Sequence, residues 1–249
     1  MLGGKQIQKR QAVIAVFAAA NRDPERFPDP DKLDLRRTDN RHVAFAWGAH
    51  YCFGAPLARM GYQDMTKKEL MPHNVQAVEE TGAKILVTAC AECYRAFARD
   101  YREWGGNPPY SVFHISHYVE KLIREKRIAF TKPLAQKVAF HDACHMSRVS
   151  GVYEPPRQAL KFIRDLKVLE ILPSKEDALC SGAAGGFPAV FPEQAAGVAQ
   201  RRLDAAEDTG ATTLVTTCPH AELHFEDVAS RRNMNLSIVD LAEMLAQAL

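Results

Sequence analysis

Short apolar runs alternate with longer amphipathic stretches along most of the chain after about residue 65. Four runs have polar residues on both sides, as buried strands do: KILVT (84–88), KVAFH (137–141), VLEIL (168–172) and TLVTT (213–217). The stretches between them space their apolar positions as helices do: AECYRAFARDYREW, ISHYVEKLIREKR, PPRQALKFIRDL and PEQAAGVAQRRLDAAEDTG. This alternation predicts an α/β fold with a mainly parallel sheet.

The first sixty residues have a different pattern. An apolar run, AVIAVFAAA, is followed by a long polar connection in which Pro24, Pro28 and Pro30 exclude a regular helix or a central strand. The sequence therefore predicts two parts, a loop-rich N-terminal fragment over residues 1–59 and an α/β domain over residues 60–249.

The α/β domain contains an internal repeat. Residues 81–97 (TGAKILVTACAECYRAF) and 209–225 (TGATTLVTTCPHAELHF) align without a gap at an offset of 128 residues. Each copy predicts a helix end, a strand, and a cysteine before the next helix, which is Cys90 in one copy and Cys218 in the other. This edge of a parallel sheet is where α/β proteins place ligands, and the amides of a helix start lower the pKa of a thiol.

The same offset relates Cys52 to Cys180, and both lie in a C-x-G-A word. A cysteine followed by glycine thus recurs at a fixed distance before each strand-end cysteine. The domain is therefore predicted to consist of two related halves, about 60–130 and 131–249, built from duplicated β/α units.

Composition narrows the choice of partners. The 249 residues are 47% hydrophobic and 25% charged, with a formal net charge of +2, which is typical of an ordinary globular protein. Acidic and basic residues are interspersed without a block of like charge, which argues against nucleic acid as a partner. The N-terminal apolar run is too short for a signal peptide, and no run is long enough to span a bilayer. We therefore expect a cytoplasmic location, and membership of a peripheral complex stays open.

Six cysteines are too few for a disulfide scaffold in a chain of this length, so their surroundings decide their chemistry. The spacing of Cys90 and Cys93 lets two thiolates bind one metal or iron-sulfur site, or form a redox disulfide. Cys144 follows a predicted strand, and Cys180 lies in a glycine-rich turn where backbone can approach a bulky inorganic ligand. Each alone is equally a small buried side chain. Together with the repeat, the cysteines favour a metal or cluster site with these candidate ligands: Cys52, Cys90, Cys93, Cys144, Cys180 and Cys218.

From Cys52 to the C-terminus the chain resembles the cysteine-rich CCG-domain proteins, namely the B-type subunit of heterodisulfide reductase and the iron-sulfur subunits of glycolate and lactate oxidases. The resemblance is carried by CFGAPLARMG, HNVQAVEETGAKILVTACAECYRAF, HDACHMSRVSGVYEPPR, LCSGAAGGF and LVTTCPHAELHF. In that family one cysteine, a Cys-Cys-Gly and a Cys-x-x-Cys occur twice and hold iron-sulfur clusters, some of them non-cubane. The resemblance implies an electron-transfer subunit whose partner is a flavoprotein, an iron-sulfur redox subunit or a thiol-disulfide substrate.

This chain departs from the family pattern in both motifs. Ser181 and Ala221 stand where the second motif has cysteines, Phe53 stands where the first has one, and no cysteine precedes Cys52. Each motif therefore keeps three thiols, which excludes a complete five-thiolate cluster at either site. A four-ligand cluster would need an added donor, for which three histidines are near in sequence: His50, His145 and His220.

Residues 3–59 resemble a second family, the C-terminal part of bacterial cytochromes P-450, through QAVIAVFAAANRDPERFPDPDKLDLRR and RHVAFAWGAHYCFGAPLAR. The haem-binding signature Phe-x-x-Gly-x-His-x-Cys-x-Gly is matched at every position: Phe45, Gly48, His50, Cys52 and Gly54. In that family the cysteine thiolate is the axial haem ligand, and the residue at His50 contacts a haem propionate. The segment lacks the family's oxygen-activating helix and distal pocket, so the resemblance implies residual haem binding rather than monooxygenase activity.

The two resemblances share the word CFGAPLAR, where a recombination or fusion would join them. The sequence favours an electron-transfer domain of the heterodisulfide-reductase type with incomplete cluster sites, preceded by the haem-signature fragment. Two alternatives stay open: a haem-thiolate oxidoreductase fragment that uses Cys52 and His50, and a degenerate subunit that docks a partner and uses its cysteines for packing. The expected site groups are Cys52, Cys90 and Cys93, and Cys144, Cys180 and Cys218.

Overall fold

A computed structural model of the chain describes residues 63–249. The predictions for the N-terminal fragment, including the haem signature with His50 and Cys52, lie outside the described residues. The division into this fragment and an α/β domain therefore stays a prediction.

The described part of the first half starts with a helical segment and continues as two β/α units. Its elements are α1 (Gln63–Met65), a π-helical stretch (Thr66–Leu70), α2 (Met71–Glu80), β1 (Ile85–Thr88), α3 (Ala91–Arg95), a second π-helical stretch (Ala96–Asp100), α4 (Tyr101–Glu103), β2 (Ser111–His114) and α5 (Ile115–Arg124).

The second half has four strands and the longest helices. Its elements are β3 (Lys137–His141), α6 (Glu154–Lys161), β4 (Lys167–Glu170), a 3₁₀ turn (Lys175–Asp177), α7 (Phe187–Val190), α8 (Pro192–Glu207), β5 (Thr213–Thr216), α9 (Pro219–Arg231), β6 (Ser237–Asp240) and α10 (Leu241–Ala248). No helix formed by residues 63–249 has the length and apolar character needed to cross a membrane.

The strands of the described residues pair in parallel, in two sheets. β1 pairs with β2, and the other sheet has the strand order β4-β3-β5-β6. β5 is central and buried along its whole length, as expected of a parallel strand covered by helices on both faces. The predicted fold class, α/β with a mainly parallel sheet, is confirmed.

One predicted strand has different bounds in the structure, and two observed strands were not predicted. The run 168–172 forms β4 at Lys167–Glu170, ahead of Pro173, whose nitrogen has no hydrogen to donate to a strand. β2 and β6 were not indicated by the sequence pattern. Each has four residues, SVFH or SIVD, and runs directly into a helix, so its apolar positions merge with the helical pattern that follows.

The repeat in the sequence is also a repeat in the structure. β1 and β5 cover the same positions of the two copies, and each is followed by a helix and then by a parallel neighbour, β2 or β6. The last residue of each neighbour caps the next helix. His114 Nδ1 accepts a hydrogen bond from the Ser116 amide at 3.3 Å, and Asp240 Oδ1 accepts one from the Ala242 amide at 2.7 Å.

The two halves pack against each other at the start of α3. The amide of Ala91 donates a hydrogen bond to the carbonyl oxygen of Thr217 at 3.1 Å. Ala91 is fully buried and belongs to the same apolar cluster as Leu214 and Phe225 of the second half. The turn after β1 therefore lies beside the turn after β5.

Apolar side chains cover both faces of the four-stranded sheet. Leu214 packs against α8 and α9 through Leu203 and Phe225, while Val215 and Phe140 pack on the other face against α6 and α10. Each large side chain buried in this way contributes about 1.5–3 kcal/mol. The packed sheet thus fixes the positions of the turns at its carboxyl edge.

A buried arginine joins α6 to the ends of β3 and β4. Arg157 donates to both carboxylate oxygens of Asp142 at 2.8 Å, and to those of Glu170 at 2.7 and 2.6 Å. Arg157 and Asp142 are buried, whereas the Glu170 side chain is 42% exposed. The two-pronged pairing compensates charges that are costly to bury alone.

Candidate metal and thiol site

Two repeat-related cysteines lie in the turns that the halves bring together. Cys90 precedes α3 and Cys218 precedes α9, each two residues after its strand ends. Because the strands of each sheet are parallel, these turns lie at carboxyl edges, where an α/β fold leaves room for ligands. The hydrogen bond from the Ala91 amide to Thr217 holds the two turns together.

Four donor side chains converge at this point. The sulfurs of Cys90 and Cys218 and a ring nitrogen of His220 all lie within 4.8 Å of one another. The thiol of Cys93, one turn further along α3, hydrogen-bonds to Cys90. Cys218 is buried, Cys90 and Cys93 are half-buried, and His220 is exposed, so the group opens to solvent on the histidine side.

Cys90 is the thiol of this group that most readily carries negative charge. Its pKa lies far below the usual value because the thiols of Cys218 and Cys93 hydrogen-bond to it, and burial opposes this only in part. The pKa of Cys218 is raised, first because it donates a hydrogen bond to Cys90 and second because it is buried. A cation bound here would replace the protons of the remaining thiols.

Cys144 and Cys180 form a second pair. Cys144 lies in the turn after β3, Cys180 lies in the glycine-rich turn before α7, and their thiols hydrogen-bond to each other. The sulfur of Cys180 also accepts a hydrogen bond from the Gly182 amide at 3.3 Å. The pKa of Cys180 is lowered to about 6, mainly because Cys144 donates to it, and the pKa of Cys144 is correspondingly raised.

A buried carboxylate lies between the two thiol groups. Glu92 is 2% exposed, and its Oε1 lies 3.5 Å from Nε2 of His145, the neighbour of Cys144 in the chain. Its Oε2 lies 3.7 Å from Nδ1 of His220. Glu92 thus faces one histidine from each thiol group.

The structure groups the cysteines differently from the sequence. The sequence places Cys218 with Cys144 and Cys180, because all three belong to one half, whereas the fold places Cys218 beside Cys90. Cys52 and His50 lie outside the described residues. Sequence reasoning noted His220 only as a neighbour of a cysteine and missed Glu92, although the word CAEC contains it. The assignment of the six cysteines as metal ligands stays a prediction.

Two titratable side chains end the strands beside this edge. The pKa of His114 is lowered to about 4, chiefly because burial disfavours its charged form. The pKa of Asp240 is raised to about 7, again chiefly by burial. Its Oδ2 has no hydrogen-bond partner among the described residues, whereas Oδ1 caps α10.

We expect Asp240→Asn to stabilise the protein at alkaline pH. The pKa of Asp240 is higher in the folded state than its ordinary value of 3.8, so its favourable contribution is complete below about pH 3.8 and is lost as the pH rises through 7. Asparagine keeps the cap but has no charge to bury. The difference in free energy of unfolding between the variant and wild type should therefore shift in favour of the variant as the pH rises from 5 to 8.5. Urea unfolding at both pH values measures this. The exposed Asp177→Asn is the control, and equal pH profiles for wild type and Asp240→Asn would contradict the prediction.

The turn that contains Cys180 needs glycine at position 182. Gly182 has a φ of +77°, and a Cβ there would lie 2.7 Å from the carbonyl oxygen of Ala195 in α8. Gly185 has a similar φ of +69°, but a Cβ there would have no neighbour within 4 Å. The turn can therefore lie against α8 only without a side chain at residue 182.

Gly182→Ala should therefore destabilise the protein more than Gly185→Ala. Both variants carry the backbone strain of a positive φ, and Gly182→Ala adds a steric clash of about 1–3 kcal/mol. Chemical unfolding of both variants gives the difference directly. Equal losses of stability would show that the turn moves away from α8 at no cost.

The fold and the site together define a class of protein, a duplicated parallel α/β domain that gathers thiols from strand-end turns. The family described as cysteine-rich domain (CCG) matches residues 14–98 and 138–226, which is well over half of the chain. The chain belongs to this family. The resemblance of residues 3–59 to cytochromes P-450 is not shown by these comparisons, and the first family match begins within that segment.

Several curated proteins are similar to the chain. One subunit of dihydromethanophenazine:CoB--CoM heterodisulfide reductase from Methanosarcina acetivorans is 37% identical over 202 residues, which cover 80% of this chain and 49% of the relative. EtfAB:quinone oxidoreductase from Syntrophomonas wolfei is 30% identical over 211 residues, covering 80% and 29%. A probable iron-sulfur-binding oxidoreductase from Bacillus subtilis is 27% identical over 183 residues, covering 73% and 26%. The chain thus spans about half or less of the length of these relatives.

Proposed function

We propose that the chain is an electron-transfer subunit in which Cys90, Cys93, Cys218 and His220 hold an iron-sulfur centre. The observation that carries this proposal is the convergence of these donors from both halves at the carboxyl edges of the sheets. The names of the relatives support it, since they include a heterodisulfide reductase subunit and an iron-sulfur-binding oxidoreductase.

The donor set fits iron in thiolate coordination. Three thiolates and one imidazole are soft or intermediate ligands, which favour zinc or iron-sulfur centres over magnesium or calcium. A tetrahedral ion with metal–sulfur bonds of about 2.3 Å places its ligands roughly 3.8 Å apart. The donor atoms of Cys90, Cys218 and His220 lie within 4.8 Å of one another, which is close to that spacing. A cluster contains sulfide as well as iron, so the thiols would have to separate to admit it.

Each residue has a distinct role in this proposal. Cys90 supplies the thiolate that is already favoured in the metal-free chain, and Cys93 and Cys218 lose their protons when the centre binds. Glu92 faces Nδ1 of His220, which directs the other ring nitrogen away from the carboxylate and leaves it for the metal. When bound, the centre would supply one-electron transfer.

A redox partner subunit, either a flavoprotein or an iron-sulfur protein, would dock near this edge. Exposed apolar side chains flank both thiol groups: Leu223 lies one turn into α9 after Cys218, and Leu179 precedes Cys180. Apolar side chains at the rim of a redox centre suit a partner that excludes water from the path of the electron. The cysteines of the described residues form no disulfide with one another, which suits the reducing cytoplasm that the sequence predicts.

Anaerobic reconstitution with iron and sulfide tests the proposal. We expect the full chain to retain iron and acid-labile sulfide after desalting, to absorb in the visible range, and to give an EPR signal in one oxidation state. Zinc is measured in the same samples. Retention of zinc without iron and sulfide, or of no metal at all, would contradict the electron-transfer function.

The haem signature remains a separate prediction because Cys52 and His50 lie outside the described residues. Haem bound through a cysteine thiolate would give the red-shifted Soret band of a reduced, CO-bound thiolate haem. If haem is supplied to the full chain and that band does not form, the haem interpretation is wrong, and the iron-sulfur proposal is unaffected.

A further inference from the structure

A cavity of about 540 Å³ lies at the edge of the four-stranded sheet opposite to the thiols. Its lining includes residues at the starts of three neighbouring strands: Lys137 of β3, Asp165 and Lys167 at the start of β4, and Thr212 before β5. Parallel strands all start at one edge, so these residues lie together at the amino edge of the sheet. The volume is typical of small-molecule sites, which span about 300–1,000 Å³. None of the candidate metal ligands within residues 63–249 lines this cavity.

Two lysines lie side by side in this cavity. The register of β3 and β4 pairs Lys137 with Lys167, in strands about 4.8 Å apart. Side chains alternate between the faces of a strand, so Lys137 lies on the face of Ala139, and Lys167 lies on the face of Leu169. Ala139 and Leu169 belong to one apolar cluster, on the side of the sheet that α8 and α9 cover. Both lysines therefore lie on the same face of the sheet.

Backbone hydrogen bonds fix the positions of the lining residues. The amide of Lys167 donates to the carbonyl oxygen of Gln136 at 2.9 Å, and the amide of Thr212 donates to that of Lys137 at 3.3 Å. By the same alternation, Thr212 lies on the face of Leu214, which belongs to the same apolar cluster, and hence on the face of both lysines. The hydroxyl of Thr212 adds a neutral donor to the two ammonium groups.

The charges in the cavity are not balanced. Neither Lys137 nor Lys167 forms an ion pair with any residue of the described range 63–249, and like charges at paired positions of neighbouring strands are destabilising. Asp165 also lines the cavity, and its carboxylate lies 3.7 Å from Nε of Arg164. Both of these side chains are exposed, so this ion pair is weak and leaves Asp165 able to accept a further hydrogen bond. An anion with more than one negative charge would balance the two lysines.

We propose that this cavity binds a small phosphate monoester that carries hydroxyl groups. A phosphoryl group has a charge of about −1.5 to −2 at pH 7 and three acceptor oxygens, which suits two lysines and the hydroxyl of Thr212. The cavity is larger than a phosphoryl group alone, and Asp165 accepts a hydrogen bond from a hydroxyl of the rest of the ligand. The site goes beyond the proposed metal centre and does not depend on it, because it lies at the other edge of the sheet.

The test measures binding of ribose 5-phosphate to the purified full chain by phosphorus NMR and calorimetry. We expect saturable binding that weakens as sodium chloride is raised from about 50 to about 500 mM, because the two lysines are exposed and salt screens their charge. The double variant Lys137→Gln/Lys167→Gln should lower the affinity at least about tenfold, since it removes two charge-assisted hydrogen bonds. Circular dichroism shows whether the variant keeps the fold.

Lys84→Gln is the matched control. Lys84 is exposed and precedes β1 as Thr212 precedes β5, but the register of β1 and β2 places Tyr110 beside it instead of a second lysine. Its replacement should leave the affinity for ribose 5-phosphate unchanged. Asp165→Asn tests the other end of the ligand. It should lower the preference for ribose 5-phosphate over inorganic phosphate at least about threefold, because an uncharged amide oxygen is a weaker acceptor than a carboxylate.

Three results would overturn the proposal. One is the absence of saturable binding of ribose 5-phosphate to wild type, a result that needs no variant to fold. Another is an equal loss of affinity in Lys84→Gln and in the lysine double variant, because binding would then reflect a general attraction of anions to basic residues. The third is equal affinity of wild type for inorganic phosphate and ribose 5-phosphate. The iron and sulfide content of the chain is measured separately, so failure of the metal proposal and failure of this one are distinguishable.

Discussion

Replacing Cys218 by alanine should lower the iron retained by the reconstituted chain at least about tenfold, whereas replacing Cys144 by alanine should leave it unchanged. The reason is the observed grouping: Cys218 lies within 4.8 Å of the Cys90 sulfur and a His220 nitrogen, while Cys144 pairs with Cys180. Removal of residues that merely orient metal ligands already costs 10- to 100-fold in affinity, so loss of a thiolate ligand should cost at least as much. Iron and sulfide analysis after anaerobic desalting measures the effect.

The same pair of variants separates the two groupings of the cysteines. If the site groups followed the halves of the sequence, Cys144→Ala and Cys218→Ala would lose iron together. Cys218 is buried beside Ala221, so its replacement by the smaller alanine removes a thiol without introducing a clash. Far-UV circular dichroism and the unfolding midpoint of each apoprotein show that the fold is kept.

Replacing Arg157 by methionine should lower the free energy of unfolding by about 3–5 kcal/mol. The change leaves the buried Asp142 carboxylate without its two-pronged partner, since the other hydrogen bond to that carboxylate comes from the Lys175 amide. Methionine keeps most of the length of the side chain, so the loss is electrostatic rather than a cavity. Urea unfolding at pH 7 gives the value, with the exposed Arg164→Met as a control expected to change it by less than about 0.5 kcal/mol.

The Arg157 prediction has a pH signature. Burial tends to raise the pKa of Asp142, but hydrogen bonds from Arg157 and Lys175 outweigh it, and the pKa lies below its ordinary value. A carboxylate with a lowered folded-state pKa contributes stability above its unfolded pKa, and this is lost as the pH falls. The gap between wild type and Arg157→Met should therefore narrow in acid. A gap of constant size from pH 7 to pH 3 would assign the loss to packing.

Local patterns predict most of the fold, and the failures have physical causes. The runs at 84–88, 137–141 and 213–217 form strands within one residue of the expected bounds, because continuous apolar runs in an α/β chain are buried strands. The sequence pattern does not predict β2 (SVFH) and β6 (SIVD), because the last residue of each strand already caps the next helix. Without an intervening turn, nothing in the sequence separates a strand of period two from the helix that follows.

The candidate site is predictable in its parts but not in its grouping. A cysteine two residues after a buried strand is expected at the carboxyl edge, which is where Cys90 and Cys218 lie. Which thiols meet depends on how the halves pack, and that is set by contacts such as the Ala91 amide with Thr217 and the apolar cluster they share. Such contacts join residues more than a hundred positions apart, so they produce no periodic pattern in the sequence. Glu92 was missed for the same reason, since the two histidines that face it, His145 and His220, both come from the other half.

The contact between Cys90 and Cys218 joins equivalent positions of the two repeats. The two residues occupy the same position of the repeat, and so do Glu92 and His220, which face each other at 3.7 Å. Contacts between equivalent residues are what a local two-fold axis produces when two separate copies of one repeat associate as a symmetric dimer. In such a dimer both partners would carry the same side chain at each position. Joining the copies in one chain removes that restriction. The acid Glu92 can then face the base His220, and Cys93 of the Cys-x-x-Cys can be kept in one copy while Ala221 replaces it in the other.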